Sequence, residues 1–188
     1  MIWTCLLLIA IHLVRSLLPP ETDAELLFRG ALIPAVLDQG APYYWTLVTY
    51  MFLHADFGHV LINAAFILAI GSGVARLSSG PVFVTIFVLS GLGGGLAIYL
   101  FSDPLSPTIG ASGGLNGLIG AAAVMFYRHR DHDPRARMMG AMVAIVLIMN
   151  VFLALTGASG ISWQGHLGGL LAGLIYGYAA LGRAPQRS

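Results

Sequence analysis

The chain has 188 residues, of which 57% are hydrophobic and only 9% charged, and its mean hydropathy is +0.84. A soluble domain carries about 25% charged residues, so this chain cannot keep its surface wet and its solvent is lipid. The net charge is +1, every basic side chain other than histidine is arginine, and the single cysteine, Cys5, excludes an internal disulfide framework.

Six apolar segments follow one another, at roughly 2–18, 57–77, 81–101, 112–127, 138–156 and 164–181. A helix crossing the hydrocarbon core needs about 20 residues, with a range of about 17–25. Most segments fit, and the fourth is short. The expected fold is an all-α membrane protein: a bundle of six transmembrane helices with a long first extracytoplasmic loop, forming one polytopic domain over 1–188. The first segment lacks a basic start and a clear small-residue cleavage site, so a retained helix is expected rather than a signal peptide. His12 within it reads as a packing or interfacial residue. In the connection 19–50, Tyr43-Tyr44-Trp45 suits an interfacial aromatic belt. The apolar run 26–37, which contains Pro34, reads as half-sunk in the headgroups.

Arginine placement sets the orientation. Arg128, Arg130, Arg135 and Arg137 lie between segments four and five, Arg183 and Arg187 in the tail, and Arg76 at the end of segment two. The positive-inside rule assigns that side to the cytoplasm. Glu21, Asp23, Glu25, Asp38, Asp56 and Asp103 collect on the other side. Both termini are then cytoplasmic, the expected location is a bacterial inner (plasma) membrane, and segments two, four and six begin at the outer face.

His54 lies at the entry to segment two, and His59 and Asn63 follow within its first turns. His59 and Asn63 are four apart and share one helix face. Polar groups at that depth face a bundle interior or a cavity. Interhelical hydrogen bonding explains either residue alone, and the same reading applies to Asn150 in segment five. Segment four opens with Gly110-Ala111-Ser112-Gly113-Gly114-Leu115-Asn116, which puts one serine among glycines at a helix start. Backbone N–H groups there lack intrahelical acceptors and can face an anion. The stretch can seat a nucleophile, but small-residue helix starts are also packing devices in membranes. A helix beginning at Ser112 would start below the membrane surface, where non-helical backbone must be buried in protein or line a wet cavity. Segment six carries glycine at 165, 169, 173 and 177, a period of four that lets helix backbones approach closely. His166 lies at its start, at the same outer depth as Ser112. An intramembrane histidine beside a serine is a candidate general base.

Three motifs in this order, His54-x4-His59-x3-Asn63, Gly110-Ala111-Ser112-Gly113, and His166-Leu167-Gly168-Gly169 followed by Gly173, carry a resemblance. The chain resembles the rhomboid family of intramembrane serine proteases, over a rhomboid-like core of about 44–181. The resemblance implies that Ser112 is the nucleophile and His166 its base, a Ser–His dyad without a third acid. It also implies an oxyanion site made by the Ser112 N–H with His59 and Asn63, and a more structural role for His54. Gly110, Gly113 and Gly169 are supporting residues. The substrate class implied is a transmembrane helix of another protein, cut near its outer end, with no cofactor and no metal. The sequence departs from the family pattern at Asn116, where an aromatic often stacks on the catalytic histidine. It departs again at Thr46, in place of the arginine of a Trp-Arg pair, and at Ala75, in place of a glutamate. Asn116 could hydrogen-bond His166 or leave it less firmly oriented.

Two other readings are set against this one. A catalytically inactive, client-binding relative is disfavoured by the intact Ser112, His166, His59 and Asn63. A transporter or channel predicts polar groups deep in several helices, whereas here they gather at one outer site. There is no phosphate loop or His-Glu-x-x-His zinc signature. The arginines between segments four and five follow from topology, so no nucleic-acid partner is expected, and His129 and His132 read as solvated loop. Partners are transmembrane segments of substrates and the bilayer. The loop 158–163 is expected to form a mobile cap over the pocket.

Overall fold

The structure, a computed structural model, describes residues 1–129, 134–156 and 160–181. Among these residues the helices are α1 (Ile2–Ser16), α2 (Pro20–Gly30), α3 (Pro34–Leu37), α4 (Thr46–Thr49), α5 (Phe57–Leu77), α6 (Gly80–Phe101), α7 (Ser112–His129), α8 (Pro134–Thr156) and α9 (Trp163–Leu181). Short 3₁₀ turns lie at Ala41–Tyr43 and Tyr50–Phe52. Among the described residues, α5 and α6 are long and apolar enough to cross a membrane on length and composition alone, and α1 and Gly140–Phe152 are apolar but shorter. Large apolar side chains such as Leu61, Leu100, Ile148, Phe152 and Ile175 are exposed on the outside. That is the surface a lipid solvent requires and water would penalise.

Start signals explain where the helices begin. Asp56 caps α5 by accepting the His59 N–H at 2.8 Å, Ser79 caps α6 by accepting the Val82 N–H at 3.3 Å, and Ser162 caps α9 by accepting the Gly165 N–H at 3.2 Å. Segment two coincides with α5 as expected. Segment five begins earlier than expected, at Pro134, because proline has no N–H to lose and suits the first turn of a helix. Arg135 and Arg137 therefore belong to a helix rather than to a loop. Helix α7 runs on to His129, and the Arg128 guanidinium lies 4.7 Å over the Tyr178 ring of α9. Arg130 and His132 lie outside the described residues, as do Arg183, Arg187 and part of the expected 158–163 cap.

The apolar run 26–37 is not one element. It breaks at Gly30, and the buried stretch Ala31-Leu32-Ile33-Pro34 runs into the protein between α2 and α3. There Leu32 and Thr108 exchange both backbone hydrogen bonds at 3.0 Å in an isolated antiparallel bridge. The Asn150 amide donates to the Val146 carbonyl of its own helix at 2.9 Å. His12 is buried with its ring edge-on to Phe57 at 4.6 Å, a packing role as expected.

Three helices make the centre of the molecule, α7 packed on α9 and both packed on α6. Glycine sets their spacing. A Cβ on Gly169 would fall on the Gly113 carbonyl oxygen, and one on Gly173 would fall on the Gly117 carbonyl oxygen. A Cβ on Gly177 would lie 2.8 Å from Ala121 Cα. The two helices therefore run parallel, with 113, 117 and 121 set against 169, 173 and 177. On the other side of α9, a Cβ on Gly168 would meet the Gly93 carbonyl oxygen of α6 at 2.6 Å. Backbones this close replace side-chain interdigitation with direct main-chain packing.

Candidate active site

Helix register brings Ser112 and His166 to one level. Gly113 packs against both Gly165 and Gly169 of α9, so His166, between those two glycines, lies beside the first turn of α7. His166, Gly169 and Gly173 recur at i, i+3 and i+7, and therefore occupy the face of α9 that meets α7. Ser112 is the first residue of α7, and both it and His166 are half-buried. The N–H groups of Ser112, Gly113 and Gly114 in that first turn have no acceptor within the helix.

The turn into α7 needs glycine at position 110. Gly110 has φ 129°, a conformation that L side chains rarely adopt. A Cβ there would also meet His59 Cε1 and Nε2 at 3.0 Å, with Ser112 Oγ at 3.8 Å. The His59 ring edge and the Ser112 hydroxyl thus converge over the space that Gly110 leaves open. Asn63 lies one turn below His59 on the buried stripe of α5 that also contains Val60, Ala64 and Ile67. One N–H of its amide donates to the His59 carbonyl at 3.0 Å. The second N–H of the same nitrogen is available to another acceptor.

His54 is fully buried, 0% exposed, in the connection before α5. Burial, reinforced by His59 nearby, pushes its imidazole down to about 3, so the ring is neutral. A neutral ring can accept, and His54 Nε2 receives the Ala111 N–H at 3.4 Å. Its ring meets that of His59 edge-on at 4.9 Å. His54 therefore touches both the residue before Ser112 and the ring beside Ser112 Oγ.

The stretch before Ser112 is held from the long first connection. The Ala35 N–H donates to the Pro104 carbonyl at 2.9 Å, Leu32 pairs with Thr108, and the Gly110 N–H donates to the Tyr50 carbonyl at 2.8 Å. Tyr50 is itself buried and its hydroxyl donates to the Gly91 carbonyl of α6 at 2.6 Å. These anchors carry no sequence motif, since main-chain acceptors leave no signature in residue type.

Asn116 is buried, and its amide donates to the Ser112 carbonyl at 2.9 Å, closing the first turn of α7. Thr46 is buried and donates to the Tyr43 carbonyl at 2.8 Å, a bond local to its own loop. Ala75 is half-buried against the core.

Comparison with known proteins places the chain in a family. The family model described as Rhomboid domain matches residues 41–183. The chain is 29% identical over 163 residues to "Rhomboid protease GluP" of Bacillus subtilis (strain 168), covering 86% of this chain and 31% of that protein. It is 35% identical over 154 residues to "Rhomboid-like protease 1" of Toxoplasma gondii, covering 79% of this chain and 50% of that one. To "RHOMBOID-like protein 1" of Arabidopsis thaliana it is 33% identical over 145 residues, covering 76% and 36%. The chain thus spans a third to a half of the length of these relatives. Matched to the rhomboid domain over most of its length, the chain belongs to the rhomboid family.

Proposed function

We propose that this protein is an intramembrane serine endopeptidase that cuts transmembrane helices of other proteins near their outer end. The observation that carries the reading is the packing of Gly113 between Gly165 and Gly169, which sets His166 beside the helix start that bears Ser112. Ser112 Oγ attacks the scissile carbonyl carbon while His166 takes the hydroxyl proton. The carbonyl oxygen becomes an oxyanion, received by the Ser112 N–H, the second N–H of Asn63 and the His59 ring. Collapse of this intermediate breaks the C–N bond, and His166 returns its proton to the leaving amine. Water, deprotonated by His166, then hydrolyses the acyl ester and restores Ser112.

The polytopic unit comprises 1–188, with its rhomboid core at about 44–181 and six spans. The arginine bias supports cytoplasmic termini, which in a bacterium means the inner membrane. Helix-destabilising and small residues in the substrate favour cleavage, because a peptide bond within a helix is hidden from attack. The test is cleavage of a single-span reporter in liposomes. Ser112→Ala and His166→Ala are each expected to abolish cutting while the protein remains folded. Cutting by Ser112→Ala at the wild-type rate would overturn the assignment, and a wild type that binds the reporter without cutting it would mark a client-binding protein.

A further inference from the structure

Arg15 lies in the last turn of α1, outside the three motifs, and is 4% exposed. Its Nε and Nη2 donate to the two carboxylate oxygens of Asp23, at 2.8 and 3.2 Å, in a bidentate fork. Its Nη1 donates to the His54 carbonyl at 2.7 Å. That carbonyl belongs to the connection before α5, where no helix supplies a donor, and a buried acceptor left unpaired is costly. Asp23 is held in turn by its place in the first turn of α2, where a carboxylate suits the helix dipole, just as Arg15 suits the C-terminal end of α1.

We propose that Arg15 and Asp23 are positioning residues for the Ser112 site, which they set by clamping the His54 main chain. The inference rests on the protease reading above. The path from clamp to nucleophile is short. Arg15 fixes the His54 carbonyl, the His54 ring receives the Ala111 N–H, and Ala111 immediately precedes Ser112. The same ring packs edge-on against His59, whose edge lies over Gly110. One clamp therefore sets both the serine and a proposed oxyanion donor. The geometry needs arginine, because a planar fork engages both Asp23 oxygens while a third donor reaches the carbonyl, and a lysine ammonium cannot span all three. The clamp also ties the first helix, which lies outside the 41–183 match, to the candidate site.

The test compares Arg15→Gln, Arg15→Lys and Asp23→Asn with wild type, each as the full chain in liposomes, for kcat and KM on the single-span reporter. A misplacement on the order of 1 Å costs about 10²-fold, so Arg15→Gln is expected to lose about 10- to 100-fold in kcat with KM unchanged. Arg15→Lys is expected to fall between Arg15→Gln and wild type. In a His54→Ala background, Arg15→Gln is expected to add little, since both act through one ring. Should Arg15→Gln not fold, Arg15→Lys and Asp23→Asn carry the same comparison. Unchanged kcat in the folded variants, a loss confined to KM, or full additivity with His54→Ala would overturn the proposal. Amide hydrogen exchange over 110–113 separates this inference from the protease reading, because it reports the helix start whether or not the protein cuts. Faster exchange in Arg15→Lys supports the clamp, and unchanged protection refutes it.

Discussion

Replacing Gly169 by alanine adds one methyl group at the contact that sets His166 beside Ser112. That Cβ would land on the Gly113 carbonyl oxygen, 2.8 Å from Gly113 C and 3.1 Å from its Cα. Carbon atoms rest at about 3.5–4.0 Å, and the obstacle is main chain, which has no rotamer in which to retreat. Helices α7 and α9 must therefore part by roughly 1 Å at this level. Overpacking of this kind costs about 1–3 kcal/mol of stability. Gly113 adjoins Ser112, and His166 lies three residues before Gly169 on the same face. The separation therefore falls on the proposed proton-transfer pair, where about 1 Å is worth about 10²-fold in kcat. The assay pairs reporter cleavage in liposomes with thermal unfolding in micelles. Gly80→Ala is the control, because a Cβ there meets nothing within 4 Å. A Gly169→Ala protein with wild-type kcat and an unshifted melting temperature would refute the packing argument.

Asn63→Ala is expected to lose about 10²–10³ in kcat with the fold retained, measured in single turnovers; an unchanged kcat would remove it from the oxyanion site. Asp56→Ala deletes the α5 cap on the His59 N–H and is expected to cost about 1 kcal/mol together with some activity. Asp56→Asn, which keeps an acceptor, should restore both, and equal losses in the two variants would contradict the cap's role. For His54, burial holds the folded imidazole at about 3, while an unfolded histidine titrates near about 6.5. As pH falls from the higher value toward the lower, the unfolded chain takes up a proton that the folded one refuses, so His54's contribution to stability is complete above that window and lost through it. Unfolding midpoints between pH 7 and 4 should therefore fall less steeply in His54→Gln than in wild type, and parallel slopes would contradict this.

Features that repeat within one helix were legible in the sequence. The bounds of α5, the shared face of His59 and Asn63, and the glycine stripe of α9 all follow from local periodicity, which side chains must obey wherever the helix packs. The start of α8 is hard to read, because Arg135 and Arg137 look like loop although Pro134 opens a helix well. The architecture before Ser112 was not legible. Leu32 finds Thr108, Tyr50 finds Gly110, and Arg15 finds His54 through main-chain groups that every residue possesses. Asn150 shows a related point: a polar residue in an apolar helix can find an acceptor in its own helix, at the Val146 carbonyl.

The central claim is that Ser112 is a nucleophile activated by His166. Its most direct test treats the full chain in liposomes with a serine-directed fluorophosphonate and maps the adduct by mass spectrometry. One adduct is expected, on Ser112, absent in Ser112→Ala and formed far more slowly in His166→Ala. An unmodified Ser112, or one labelled at the same rate without His166, would contradict it.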